Sequence, residues 1–250
     1  MGSGRGKSHR VKQSQSQSTG DGGDRLVISS GKDVRHASIP EPEDRLDNEN
    51  LTVLSVSSGK FRTAVRWFEK AHRGVSRKND SDVPYVNHVF GVAVIVAASG
   101  GGRDDIIIAL GHDSIEDTDV TYEDIRKEFG EKVADGILSV TKGPEFKGIR
   151  LEDQAGVILE KLVRAGPSSL RTKGADLLWN MSEIVWDSEE RGVDFMKQMF
   201  GADRAHRKVS HYVELAMLIA SETEDHDVYR DLAASLRQRA KELEILAEQL

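Results

Sequence analysis

The chain has 250 residues, 38% hydrophobic and 31% charged, with a formal net charge of -7 and no cysteine. That length and apolar content suit one or two folded domains with a real core, and the acidic balance disfavours wholesale nucleic-acid binding, which needs a basic surface. The lack of cysteine excludes disulfides, thiolate metal sites and cysteine nucleophiles, while no apolar run spans a bilayer and no signal-peptide core opens the chain, so a cytoplasmic protein with neither membrane nor nucleic-acid partners is expected.

Residues 1–50 are dominated by Gly, Ser, Gln, Asp and Arg and include the low-complexity run Gln13 to Ser18. Such a segment buries too little apolar surface to offset ordering, and a disordered tail is expected. From Lys60 the pattern changes: Phe61, Ala64, Val65, Phe68 and Ala71 recur at helical spacing, and Gly74 stops that helix. Ser76 to Asp82 reads as a polar loop, and Pro84 restarts order ahead of a buried helix from Val86 to Ala98. Gly100 to Gly102 breaks it, and a central helix is expected over Asp104–Ile115. Thr121 and Asp124 have the spacing of a capping box for a short helix to Phe129, with another over Lys132–Val140 and a loop over 143–148.

Leu151 to Ala165 is amphipathic and ends at Gly166-Pro167. Ser169 to Trp186 reads as a long helix, with Leu170, Leu177, Leu178, Met181 and Val185 toward the core. Helices over 194–200 and 202–221 follow. In the last helix, Asp227 to Leu250, leucines 232, 236, 243, 246 and 250 fall near heptad spacing, so it packs back on the domain or forms an oligomer seam. No strand alternation is present. The expected class is all-α: a tail over 1–50, a helical domain over 51–225 and a C-terminal helix over 226–250.

The chemistry concentrates in Ile106 to Thr118, which starts apolar and ends in His112, Asp113, Glu116 and Asp117. Residues four apart share a helix face, pairing His112 with Glu116 and Asp113 with Asp117. Burying unpaired carboxylates is costly. A divalent cation held by the adjacent His-Asp pair removes that cost; a solvated helix end with ordinary ion pairs is the alternative. Asp176, between Ala175 and Leu177, poses the same problem in an apolar helix.

Four stretches in order, Ala71 to Lys78 (AHRGVSRK), Pro84 to His88 (PYVNH), Gly111 to Thr118 (GHDSIEDT) and Lys173 to Met181 (KGADLLWNM), resemble the hydrolase domain of the RelA/SpoT-homologue family. The likeness is greatest to its stand-alone members, the small alarmone hydrolases. Glu123 to Gly130 and Ser139 to Lys142 extend it, so that it covers about Phe61 to Ile184. The resemblance implies an HD-superfamily helical bundle holding one manganese ion through His88, His112, Asp113 and Asp176. Two imidazoles and two carboxylates suit a borderline ion such as Mn, Fe or Zn, whereas calcium takes oxygen ligands. Glu116 and Asp117 match the family's Glu-Asp pair, whose implied task is to position and deprotonate the attacking water and assist the leaving group.

By the same matching, Arg77 and Lys78 lie over the guanine and phosphates, and Lys142, Lys147 and Arg150 form a basic stretch. Asn180 contacts the nucleoside, and Tyr212 flanks the nucleotide. The implied reaction is removal of the 3′-diphosphate of (p)ppGpp as pyrophosphate. Departures at Val75, Val89 and Leu177 leave every ligand in place but leave the nucleotide open. The alternatives are a related phosphohydrolase of adenosine alarmones or of the NADPH 2′-phosphate, and a catalytically silent nucleotide-binding HD module. Too few residues follow the matching region for a synthetase domain.

Overall fold

One long helix, with neighbours on every side, organises the molecule. The computed structural model describes residues 59–77, 82–224 and 226–250; the expected tail over 1–50 and Lys78 lie outside the described residues. These form α1 (Gly59–Ala71), α2 (Val86–Ala98), α3 (Arg103–Gly111), α4 (Ser114–Asp117), α5 (Tyr122–Phe129) and α6 (Glu131–Val140). Then follow α7 (Gln154–Ala165), α8 (Pro167–Arg191), α9 (Asp194–Phe200), α10 (Ala205–Thr223) and α11 (Arg230–Ala247). Short 3₁₀ turns and an antiparallel bridge between Ser76 and Pro84 complete the described residues. The all-helical class expected from the periodicity is the one observed.

The hub is α8, which packs against α2, α3, α6, α7, α9, α10 and α11. Leu170, Leu177, Leu178, Met181 and Val185, the expected core positions, are all buried. Each such side chain contributes about 1.5–3 kcal/mol relative to leaving it in water. Pro167 stands at the helix start, where its missing N–H costs nothing. On α11, Leu232, Leu236 and Leu243 are buried, and the helix packs on α8 and α10.

Most helix bounds fall within a few residues of expectation. The capping box at α5 forms: Asp124 N–H donates to Thr121 Oγ1 at 3.2 Å and Thr121 N–H to the Asp124 carboxylate at 3.0 Å.

The central helix departs from expectation. It ends at Gly111 instead of running to Ile115, and only the four-residue α4 follows. Two side chains cause the break by capturing carbonyls of the last turn. The His112 ring Nδ1 donates to the Ala109 carbonyl at 2.7 Å, and Ser114 Oγ donates to the Gly111 carbonyl at 2.6 Å. Gly111 is required there, because a Cβ would strike the Phe68 ring and Ile137 Cδ1. The turn aims His112 and Asp113 at α2 and α8, and sends Glu116 toward the end of α6.

Candidate metal centre

Three helices bring four donor side chains together. His88 sits in the first turn of α2, His112 and Asp113 follow α3, and Asp176 lies near the middle of α8. His88, His112 and Asp176 are buried, and one donor atom from each lies within 4.8 Å of the others. The two Nε2 atoms face each other at 3.1 Å. Asp176 Oδ1 is 3.3 Å from His88 Nε2 and 3.7 Å from His112 Nε2. Asp113 Oδ2 is 3.4 Å from the first and 3.0 Å from the second.

These spacings fit donors around one ion. At a metal–donor distance of about 2.1 Å, neighbouring donors lie about 3.0 Å apart at right angles and about 3.4 Å apart in a tetrahedron. The tautomer also fits: with Nδ1–H given to Ala109, His112 presents its Nε2 lone pair to the centre.

The surroundings lock the carboxylates. Tyr85 donates its hydroxyl to Asp113 Oδ2 at 2.5 Å. Asp176 accepts from Lys173 Nζ on Oδ2 at 2.7 Å and from Asn180 Nδ2 on Oδ1 at 2.5 Å. Burial pushes the Asp176 carboxyl up, but Lys173 and the two imidazoles outweigh it and hold it well below the usual range. Burial likewise pushes Asp113 up, and His112 and His88 bring it well below. His112 would be lowered by burial; Asp113 and Asp176 instead raise it to about 10. The negative field that would hold a proton there is the field that attracts a dication.

A cleft of about 160 Å³ opens from this centre, lined among others by Asp113, Glu116, Lys142, Lys173, Asp176, Asn180, Lys208, His211 and Tyr212. Glu116 accepts the Lys142 backbone N–H at 2.5 Å, which holds its carboxylate at the wall. Burial raises the Glu116 carboxyl, and the Lys142 amide offsets part of the rise. Asp117 is exposed and is not part of the lining. Lys142 Nζ donates to Gln154 at 3.0 Å. Tyr212 is pushed up to about 12 by burial first and then by Asp176.

Two expected substrate residues lie away from the cleft, and a third is held by another partner. Lys147 and Arg150 are exposed outside the lining, and Arg150 pairs with Asp153 at 2.8 Å. Arg77 does come beside Asn180, donating to its Oδ1 at 2.9 Å, but the guanidinium is also paired with Glu183.

Sequence reasoning did not single out Tyr85, Lys173, Glu183 or His211. Lys173 carried a local signal, standing three residues before Asp176 on one helix; the others meet their partners only through the fold.

His211 gives the cleft a pH dependence. Burial first, then Lys208, Lys173 and Lys142, push its pKa from 6.5 down to about 4. The unfolded chain therefore takes up a proton below pH 6.5 that the folded chain refuses. The stabilising contribution is complete above 6.5 and is lost as pH falls toward 4. His72, lowered by its own burial, acts with the same sign. We expect thermal stability to fall across this window and the fall to be shallower in His211→Gln. Parallel melting profiles for the variant and the parent would contradict this assignment.

Comparison with known proteins places these features in context. Residues 64–156 match the family described as HD domain. The Drosophila melanogaster protein named guanosine-3′,5′-bis(diphosphate) 3′-pyrophosphohydrolase MESH1 is 29% identical over 147 residues, 56% of this chain and 80% of that protein. The Homo sapiens protein of the same name is 32% identical over 136 residues, 52% of this chain and 73% of that one. A longer relative from Aquifex aeolicus, named guanosine-3′,5′-bis(diphosphate) 3′-pyrophosphohydrolase, is 33% identical over 145 residues, which is 20% of its length. The solved structure described as "A metazoan ortholog of SpoT hydrolyzes ppGpp and plays a role in starvation responses" superposes with a TM-score of 0.56 at 22% identity, covering 74% of this chain and 94% of that one. It shares the fold. No helix among the described residues is long and apolar enough to cross a membrane.

Proposed function

The chain belongs to the MESH1-type family of guanosine-3′,5′-bis(diphosphate) 3′-pyrophosphohydrolases, and from that premise we propose that it releases the 3′-diphosphate of ppGpp or pppGpp as pyrophosphate. The protein is a hydrolase acting on a nucleotide, and it uses a divalent metal. We assign the ion to manganese and its ligands to His88, His112, Asp113 and Asp176. The observation that carries this reading is the approach of the two Nε2 atoms to 3.1 Å with a carboxylate on either side.

Bound there, a divalent ion lowers the pKa of water toward neutrality and offsets phosphate charge. The chain's own residues do the rest. Water attacks the phosphorus bonded to O3′, the P–O3′ bond breaks, and the 3′-oxygen leaves and gains a proton. Glu116 takes the water proton; desolvation at the cleft wall raises its carboxyl pKa, which makes it a stronger base. Asp117 is assigned to the leaving oxygen. Lys142, Lys173 and Lys208 surround the diphosphate with positive charge, which is most effective where charge develops. Asn180 and Tyr212 receive the nucleoside. Arg77 and Lys78 are assigned to the guanine and phosphates, and Arg77 must first leave Glu183. Lys147 and Arg150 are assigned to groups projecting beyond the cleft.

Purified protein with Mn²⁺ and ppGpp should release pyrophosphate and GDP, and EDTA should stop it. No release, with an active control enzyme running, would refute the reading. Free phosphate from NADPH in place of pyrophosphate from ppGpp would move the substrate to the NADPH 2′-phosphate.

A further inference from the structure

His88 on α2 and Asp176 on α8 meet at 3.3 Å where the two helices pack. Three residues on from each, on the same helix faces, stand Gly91 and Trp179. There the helices are in direct contact: a Cβ on Gly91 would fall on Cζ3, Cε3 and Cη2 of the indole. The same ring meets the His88 imidazole at 66°, with centroids 6.5 Å apart. Trp179 is 3% exposed, and its Nε1–H is buried without a hydrogen-bond partner. An unpaired buried donor costs about 1–3 kcal/mol. A hydrocarbon side chain would fill space without that cost, so what the indole supplies is its shape.

We infer that the Gly91–Trp179 contact is a positioning device that sets the spacing of His88 and Asp176, and through it the affinity of the chain for its divalent ion. The inference rests on the metal reading above. The indole is buried and its helix α8 is packed by seven neighbouring helices, which leaves little free room for the ring to give way. A methyl group at residue 91 therefore moves α2, and with it His88. Metal–donor distances in well-formed sites fall within about 0.2 Å of their ideal values, so a shift of His88 of that order matters. Trp179 acts through His88 and touches no reacting atom.

The test is Mn²⁺ binding by isothermal titration calorimetry on the full chain, Gly91→Ala, Trp179→Phe and the double variant, with circular dichroism and apo melting curves on each. Phenylalanine lacks the benzo edge that the new Cβ would strike. Gly91→Ala should weaken Mn²⁺ binding by about 10–100-fold, the range seen when groups supporting metal ligands are altered. Trp179→Phe alone should weaken it too, by loosening His88. The double variant should bind more tightly than Gly91→Ala, with helicity retained throughout. Parental affinity in Gly91→Ala, or losses that simply add in the double variant, overturns the inference, as does an effect confined to apo melting. Should Gly91→Ala fail to fold, parental affinity in Trp179→Phe overturns it alone. Failure of the parent chain to bind Mn²⁺ refutes the metal reading itself.

Discussion

Asp176→Asn should abolish Mn²⁺ binding and reduce pyrophosphate release from ppGpp on the order of 10³-fold or more, because several kcal/mol of charge stabilisation go with the ion and each 1.36 kcal/mol is tenfold in rate. The substitution hardly changes volume, so the helix should persist, and circular dichroism checks this. It removes the anion that faces four partners at once: Lys173, Asn180 and the two imidazoles. Lys173 then stands beside a neutral amide at the wall of the cleft. Partial loss of charge compensation should lower the melting temperature, so binding must be measured well below it. Calorimetry showing Mn²⁺ bound as in the parent would remove Asp176 from the ligand set.

The second large effect separates chemistry from binding. Glu116→Gln should lose about 10²–10⁴ in kcat, the usual worth of a general base, while Mn²⁺ affinity stays at the parent value. Glutamine keeps the carbonyl that can accept the Lys142 amide, so the wall is preserved while the proton acceptor is lost. Equal loss in Glu116→Gln and in metal binding would instead make Glu116 a ligand or its support. Unchanged kcat would transfer the base to another group.

Most of the helical framework is legible in the sequence, because α1, α7 and α8 carry apolar positions at helical spacing and α2 is a continuous apolar run, all between Gly and Pro signals. The break after Gly111 is not. It depends on Phe68 and Ile137 closing over a glycine, and on two side chains competing for helix carbonyls. Its consequence is that Glu116 leaves the helix face expected for it and meets Lys142, 26 residues away. The candidate ligands were legible as motif residues in a recognisable order. Their support was not: Tyr85 reaches Asp113 across 28 positions and Arg77 reaches Glu183 across 106. No local pattern encodes such pairs. Lys147 and Arg150 show the converse, since a basic stretch in sequence separates in space once Lys142 turns inward and the loop turns out.

His88 and Asp176 belong to two helices and His112 and Asp113 to the break after a third, so an ion held by all four would be a strut as well as a reagent. Anything that binds only the native state adds RT ln(1 + [L]/Kd) to its stability, about 2.7 kcal/mol at a hundredfold excess over Kd. Scarcity of the divalent ion would thus shorten the working life of the enzyme along with slowing its turnover. Chelated protein should yield to protease sooner than the metal-loaded form, with cuts appearing where α2 and α3 come loose from α8.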